Sequence, residues 1–196
     1  NNGSYTLHLE QELLPTPGQP TKGAKVIPVA IGLLNPNGDE VLPTTVLELT
    51  DFKQSFRFDN LASKPIASLL RGFSAPVILE RATTAQDRAF LLAHDTDPFN
   101  KWEAGRALAK DVLARMITDN AAASPDWLDA IARVAADETL DPAFRALCLR
   151  LPAEDDMAQT LHAAGHVPDP QAIYVARRRM GKALAKTLAP MLPAMI

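Results

Sequence analysis

Apolar residues follow two different spacings along this chain, and the change falls near residue 81. From Tyr5 to Leu9, apolar residues alternate with polar ones, which is the period of a strand with one buried face. Beyond Glu80, apolar residues recur every three or four positions in Ala-rich segments, which is typical of amphipathic helices. The pattern therefore predicts a β domain over residues 1–81 and an α-helical domain over residues 82–196.

Short apolar runs separated by Pro and Gly turns fill the first domain. Residues 26–34 and 40–42 flank an Asn-Pro-Asn-Gly turn whose Asn-Gly pair tolerates positive φ, so they are predicted to form a hairpin. Pro28 confines its strand to a sheet edge or a strand start, because proline cannot donate to the ladder. Six or seven short strands indicate a small antiparallel β-sandwich. The other predicted strands are residues 5–9, 45–49, 54–58, 69–73 and 77–80.

Repeated helix-start signals organise the second domain. Thr83 and Gln86 have the spacing of a capping box, followed by a first helix that ends near His94. Later starts pair an Asp or Ser, whose oxygen accepts a first-turn N–H, with a proline that has no N–H to leave unpaired. These pairs are Asp97-Pro98, Ser124-Pro125, Asp141-Pro142 and Asp169-Pro170. Helices of this length joined by short loops predict a helical array of the solenoid kind.

Apolar stripes on these helices predict which residues are buried. We expect at least two of Phe90, Leu91 and Trp102, which flank the change of spacing, to lie in a core. Trp102 and Trp127 are expected to be core anchors rather than ligand platforms. The predicted stripes are Trp102, Ala109, Val112 and Met116; Leu128, Ile131 and Ala135; and Phe144, Leu147, Cys148 and Leu151.

The composition of the chain limits the kinds of partner and the cellular compartment that we expect. The chain has 196 residues, of which 47% are hydrophobic and 22% charged, as in globular proteins. A net charge of −3 argues against a nucleic-acid partner. No apolar run approaches the roughly 20 residues that span a bilayer, and no signal-peptide pattern is present, so we expect no membrane association. The single cysteine, Cys148, excludes an internal disulfide and favours a reducing, cytoplasmic compartment.

The strongest candidate for a metal site is the histidine pair His162 and His166. Two histidines four apart on one helical face can share a zinc ion, as in the zinc-protease motif. That motif also needs a Glu after the first His as general base, and Ala163 occupies this position. Gly165 and Pro168 further indicate that the helix ends before His166. We therefore expect a pair of surface histidines near a helix end.

Other candidate groups have structural interpretations. Gly72-Phe73-Ser74-Ala75-Pro76 resembles a nucleophile elbow for two residues only, and a turn between strands is expected. Cys148 lies on an apolar stripe, where a thiol acts as a small hydrophobe. The basic cluster is either a solvated face late in a helix or a surface for an acidic partner or substrate carboxylate. It comprises Arg177, Arg178, Arg179, Lys182 and Lys186. We expect no catalytic, cofactor-binding or metal-binding residue in this chain.

Several runs resemble the aminopeptidase N family of zinc exopeptidases. They are VIPVAIGLLNPNGDE at 26–40, SFRFDNLASKPIASLLRGFSAPVILE at 55–80 and FLLAHDTDPFNKWEAGRALA at 90–109, with shorter matches at 15–20, 46–50, 149–159 and 169–173. In that family a β-sandwich follows the catalytic domain, and a large helical domain comes next. The resemblance implies that this chain is the sandwich and the first part of the helical domain.

The resemblance also implies where the chemistry lies. The family's HExxH zinc helix, its downstream Glu ligand, its GxMEN loop and its transition-state tyrosine would all precede these residues. We therefore expect zinc in the parent enzyme but none here, with the rest of the parent as partner and peptides as its substrates. The start at Asn1 and the apolar tail LAPMLPAMI fit a piece of a longer protein. The alternative is a stand-alone interaction module of sandwich and helices.

Overall fold

A computed structural model describes residues 3–191, and these fall into two compact units. The first contains the residues up to Arg81 together with the segment His94–Asn100. The second contains Ala82–Ala93 and the residues from Lys101 onward. No helix among residues 3–191 is long and apolar enough to cross a membrane.

Five strands in two antiparallel sheets form the first unit across residues 3–81. They are β1 (Gly3–Glu10), β2 (Ile27–Leu34), β3 (Glu40–Leu49), β4 (Lys53–Leu61) and β5 (Ile66–Leu69). One sheet pairs β1 with β4, and the other has the order β3-β2-β5. Leu7 from the first sheet shares a buried apolar cluster with Ile31, Leu33 and Leu69 from the second. The predicted antiparallel β-sandwich is thus confirmed.

The hairpin predicted around the Asn-Gly turn is also confirmed. Strands β2 and β3 pair antiparallel, and Gly38 closes their turn with φ +95° while its N–H donates to Asn35 O at 2.9 Å. Strand β2 is central in its sheet, yet Pro28 pairs only with Glu48 of β3, because β5 pairs with β2 from Ile31 onward. Pro28 therefore occupies a strand start, as its missing N–H requires.

Three strand predictions need correction. Residues 40–42 and 45–49 are one strand, β3, whose register shifts opposite Leu33. Residues 69–73 are not a strand, because β5 ends at Leu69 and a 3₁₀ turn, Arg71–Phe73, follows, with positive φ at Leu70 and Phe73. Residues 77–80 form no strand, and Ile78 is 91% exposed. The β-branched residues Val77 and Ile78 favour a strand, but no strand of the described residues pairs with this segment.

Six α-helices follow in residues 85–188, which confirms the all-α class after the β-sandwich. Their bounds are α1 (Ala85–His94), α2 (Pro98–Thr118), α3 (Pro125–Ala136), α4 (Pro142–Cys148), α5 (Glu154–Ala163) and α6 (Pro170–Leu188).

The Asp-Pro and Ser-Pro pairs mark four of these starts as predicted. Asp141 accepts from the N–H groups of Ala143 and Phe144, and Asp169 accepts from that of Gln171. Ser124 makes no such side-chain bond. The capping box lies one residue later than predicted: Thr84 N donates to Asp87 Oδ2, and Asp87 N donates to Thr84 Oγ1. Asp87 fits because its carboxylate reaches the Thr84 N–H at 3.1 Å.

The helical core contains Ala109, Val112 and Met116 of the predicted α2 stripe, and it departs from the predicted stripes elsewhere. In α3 the buried face includes Trp127, Ile131 and Val134, so Leu128 is only partly buried. Helix α4 buries no residue fully. Because seven residues make only two turns, its stripe lines the edge of the core rather than its centre.

Trp127 is the core anchor that the sequence predicts, whereas Trp102 is only partly buried. Of Phe90, Leu91 and Trp102, only Leu91 is buried, so the expectation of two buried residues is wrong. In the apolar tail, Leu188 packs into the helical core, and residues 192–196 lie outside the described residues.

Candidate functional site

The two histidines of the pair do not lie on one continuous helical face. Helix α5 ends at Ala163, and Gly165 turns the chain with φ +83°. The N–H of His166 donates to Leu161 O at 2.9 Å, so the second histidine follows the helix instead of continuing its face. Both histidines are exposed. Within residues 3–191, no three His, Cys, Asp or Glu residues are grouped to hold a metal ion. This donor set does not fit catalytic zinc, which takes three protein ligands.

Two candidate nucleophiles are engaged or shielded. Ser74, in the stretch that resembles a nucleophile elbow, accepts a hydrogen bond from the N–H of Ala30 at 2.9 Å. Its hydroxyl therefore ties a turn to strand β2. Burial raises the pKa of the Cys148 thiol above its usual range, which keeps it protonated and poorly nucleophilic.

The basic cluster on α6 makes contacts inside the helical unit. Arg177 Nε donates to Pro152 O at 2.8 Å, and its Nη1 lies 3.1 Å from Glu154 Oε1. Arg179 donates to Asn120 Oδ1 at 2.7 Å and also to the carbonyl of Ala121. These two arginines therefore fasten α6 to its neighbouring segments. Arg178 stacks over the Tyr174 ring at 5.7 Å and, with Lys182 and Lys186, forms an exposed basic face.

The most developed polar constellation lies in the β-sandwich unit, around the buried guanidinium of Arg71. Its Nη1 lies 2.5 Å from Glu40 Oε1, and its Nη2 lies 3.2 Å from Asp95 Oδ1. Its Nε donates to Ser68 Oγ at 2.9 Å. Gly32 provides the space, because a Cβ there would lie 2.0 Å from the guanidinium carbon. We call Arg71, Glu40, Ser68 and Asp95 the Arg71 cluster.

The two carboxylates of the Arg71 cluster differ in their electrostatics. Burial raises the pKa of Asp95, and the hydrogen bond from Asp97 N and the charge of Arg71 offset only part of that effect. Desolvation also acts on Glu40, but hydrogen bonds from Arg71 and Thr96 outweigh it and lower the pKa of Glu40. Asp95 Oδ2 has no hydrogen-bond partner within residues 3–191. The cluster therefore depends on Arg71 to hold a buried carboxylate.

The Arg71 cluster fastens the segment His94–Asn100 within the β-sandwich unit. Asn100 Nδ2 donates to Ser68 Oγ and to Leu69 O, both at 2.8 Å. The N–H of Gly72 donates to Asp97 Oδ2 at 2.9 Å. Sequence reasoning missed this cluster because its two carboxylates, Asp95 and Glu40, are 24 and 31 residues from Arg71. The available signal was the run of polar residues His94-Asp95-Thr96-Asp97 at a helix boundary.

Comparison with known proteins places both units in described families. The model of the "Domain of unknown function (DUF3458) Ig-like fold" matches residues 1–82, and that of the "Domain of unknown function (DUF3458_C) ARM repeats" matches residues 85–196. The first agrees with the β-sandwich described above. The second agrees with an array of helices.

Curated relatives are aminopeptidases N. The one from Caulobacter vibrioides is 41% identical over 169 residues, which is 83% of this chain and 19% of that protein. The one from Escherichia coli is 34% identical over 198 residues, which is 94% of this chain and 22% of that protein. This chain thus spans about a fifth of the length of the relatives that it matches.

A solved structure is similar along almost the whole chain. It is the crystal structure of Legionella pneumophila aminopeptidase A in complex with aspartic acid, which is 25% identical with a TM-score of 0.75. The match covers 97% of this chain and 22% of that one. The chain therefore belongs to the DUF3458 family, with its Ig-like and ARM-repeat domains, and its relatives are the aminopeptidases N.

Proposed function

We propose that this chain is the Ig-like and helical part of a zinc aminopeptidase that removes N-terminal residues from peptides. In this proposal its own residues serve structure rather than catalysis. The observation that supports it most is the similarity to aminopeptidase N, which runs through both units in one order and covers about a fifth of those proteins.

The chemistry of the enzyme would come from residues outside this chain. Metal-bound water is the usual nucleophile of zinc peptidases. The histidines described above do not fit that role, since Ala163 stands where a general base is needed and α5 ends there. The partner of this chain would be the rest of the enzyme, whose catalytic domain would hold the metal and the peptide.

The structural role proposed for the chain draws on the Arg71 cluster. A buried ion pair with fixed hydrogen bonds has one arrangement, so it gives His94–Asn100 a defined position in the β-sandwich unit. This segment runs from the last residue of α1 to the first turn of α2. We place this enzyme in the cytoplasm, without a nucleic-acid or membrane partner, because Cys148 is unpaired and the net charge is negative.

The test starts from the gene. The reading frame upstream of Asn1 is expected to encode an HExxH helix, and the full product is expected to hold one zinc and to cleave alanyl-4-nitroanilide. Replacing the HExxH glutamate with glutamine should abolish turnover while leaving zinc and folding intact. A reading frame without HExxH, or a full product without aminopeptidase activity, would reject this function in favour of an interaction module.

A further inference from the structure

Phe73 and Phe99 form an exposed aromatic pair on the β-sandwich unit. Their ring centroids lie 5.3 Å apart in an edge-to-face arrangement. Phe73 is 62% exposed and Phe99 is 39% exposed, although phenylalanine is among the residues most often buried in folded proteins. We call these two rings the Phe73 patch.

The backbone that carries Phe73 is strained. Phe73 has φ +57° and Leu70 has φ +58°, which is the left-handed region that residues with a Cβ rarely occupy. A glycine or an asparagine at position 73 would adopt this φ at a lower cost. The folding of the sandwich unit gains little from a ring that is both mostly exposed and strained. Backbone strain of this kind concentrates where a side chain is placed for binding or catalysis.

Hydrogen bonds fix the turn that carries the Phe73 ring. The N–H of Phe73 donates to Leu70 O at 3.1 Å, and the N–H of Gly72 donates to Asp97 Oδ2 at 2.9 Å. Asp97 directly precedes α2, whose first turn contains Phe99. One hydrogen-bonded network therefore positions both rings, so a partner would bind them without first having to order them.

The charged residues next to the patch in the sequence are engaged within the unit. Arg71 is buried in the Arg71 cluster, and Asp97 accepts hydrogen bonds from two backbone N–H groups. Gly72 and Pro98, which adjoin the two rings in the sequence, are exposed and uncharged. Aromatic side chains without nearby free charge are typical of the centre of a protein interface, whereas nucleic acids need clustered cations. The patch therefore suits an apolar protein surface.

The size of the patch favours a partner in the same polypeptide over a second copy of this chain. Full burial of one phenylalanine removes about 150–250 Å² from solvent, so the exposed parts of the two rings amount to roughly 200 Å². A stable complex between separate chains buries about 800 Å² on each partner. A covalently linked partner needs a smaller contact, because the linkage gives it a high effective concentration.

We propose that the Phe73 patch docks against an apolar face of the part of the aminopeptidase polypeptide that lies outside this chain. The inference rests on the proposed function, which supplies the partner. Since this chain spans about a fifth of the length of its curated relatives, about four-fifths of such a polypeptide is available to cover the patch. Phe73 is the anchor of this interface, and Phe99 holds the Phe73 ring by its edge-to-face contact.

The first test compares the accessibility of the rings in the full polypeptide and in the 196-residue chain. Hydroxyl-radical oxidation, measured by mass spectrometry of peptides, reports the exposure of each phenylalanine. Oxidation of Phe73 is expected to be severalfold slower in the full polypeptide. The control is Phe52, which is 46% exposed between β3 and β4 of the same unit.

Two results of this first test would overturn the proposal. One is a protection of Phe73 in the full polypeptide that is no greater than that of Phe52. The other is oxidation of Phe73 that slows as the concentration of the 196-residue chain rises, because this would assign the patch to a second copy.

The second test uses Phe73→Asn to separate docking from a role within the sandwich unit. Asparagine tolerates positive φ, so the substitution removes the ring and relieves the backbone. In the 196-residue chain, hydrogen exchange of the β2 amides should show no loss of protection. In the full polypeptide, the same substitution should speed limited proteolysis severalfold, whereas Phe52→Asn should not. A loss of β2 protection in the 196-residue chain, or an unchanged proteolysis rate in the full polypeptide, would contradict docking through Phe73.

Zinc content and turnover of alanyl-4-nitroanilide, measured on the same full polypeptide, separate this inference from the proposed function. An active zinc enzyme in which Phe73 stays as reactive as in the 196-residue chain would reject the docking surface alone. A polypeptide without zinc or turnover in which Phe73 is protected would reject the proposed function and support docking within the polypeptide.

Discussion

The β-sandwich unit and the helical unit bury different kinds of side chain. Beside its apolar cluster, the sandwich buries Ser68, Arg71 and Asp95, which bond to one another or to neighbouring strands and loops. The helical core is built from apolar side chains of α1, α2, α3, α5 and α6. Among the described residues of the helical unit, Lys101 is the buried charged one, and its Nζ donates to the carbonyls of Leu92 and Ala93 near the end of α1.

Because their cores differ, the two units should lose stability in different ways when a buried residue is replaced. An apolar core loses stability in proportion to the volume removed, and its neighbours relax to limit the loss. A buried ion pair loses more when one partner is removed, because the other charge remains buried without compensation. We therefore expect the largest single effect in the sandwich, at Arg71, and graded effects in the helices.

The largest expected effect is that of Arg71→Met. The substitution leaves Asp95 buried without its cation, so the free energy of unfolding of the sandwich unit should fall by about 3–5 kcal/mol. Hydrogen exchange of the β2 amides measures this unit separately. The control is Arg57→Met, since Arg57 pairs with Asp59 on the surface and should cost under about 1 kcal/mol. Equal protection of these amides in the two variants would contradict a stabilising role for the buried ion pair.

Two leucines of the helical unit test whether the loss of stability follows the burial of the side chain. Leu161 is 2% exposed and Leu147 is 39% exposed. Leu161→Ala should cost about 3 kcal/mol, because it leaves a cavity in the core, and Leu147→Ala should cost well under half of that. Both tryptophans lie in this unit, so fluorescence-detected urea unfolding follows it alone. Similar losses from the two variants would contradict the burial described here.

A smaller and pH-dependent effect is expected at Asp156. Desolvation acts against its ionisation, but hydrogen bonds and charges from Lys110 and Arg106 outweigh it and lower the pKa of Asp156. A lowered folded-state pKa means that the contribution to stability is present above the unfolded value, about 3.9, and is lost as the pH falls through the folded value. Asp156→Asn should therefore cost about 1 kcal/mol at pH 7 and progressively less below about pH 4. A difference that is constant from pH 7 to pH 3 would exclude this ion pair.

The smallest effect separates members of the basic cluster. Arg179→Ala removes the bonds to Asn120 and Ala121 and should cost about 0.5 kcal/mol. Arg178→Ala removes a stacking contact on an exposed face and should cost less than that. Urea unfolding of the helical unit measures both. A larger loss for Arg178 would show that the exposed face is the structural one.

Local sequence signals predicted much of this fold. Asp141-Pro142 and Asp169-Pro170 each mark a helix start, because the Asp side chain accepts hydrogen bonds from N–H groups only two or three residues later in the chain. The Asn-Gly pair likewise predicts its hairpin turn locally, because Gly38 adopts the positive φ that the turn needs. The end of α5 before His166 follows from Gly165, whose positive φ a helix does not tolerate.

Features that depend on distant partners could not be predicted in this way. Val77, Ile78 and Leu79 have strand propensity, but no strand of the described residues pairs with them. Helix α3 buries Val134 as well as the predicted Ile131, and leaves Leu128 only partly buried, a difference that only packing decides. The Arg71 cluster joins residues from β3, β5 and the α1–α2 segment, so no local window contains it.

We propose that this chain is a structural part of an aminopeptidase and has no catalytic residues of its own. The most direct measurement is the zinc content of the dialysed 196-residue chain together with its turnover of alanyl-4-nitroanilide. We predict no stoichiometric zinc and no turnover. One tightly bound zinc per chain, or turnover that His162→Ala abolishes, would contradict the claim and assign the chemistry to the helical unit.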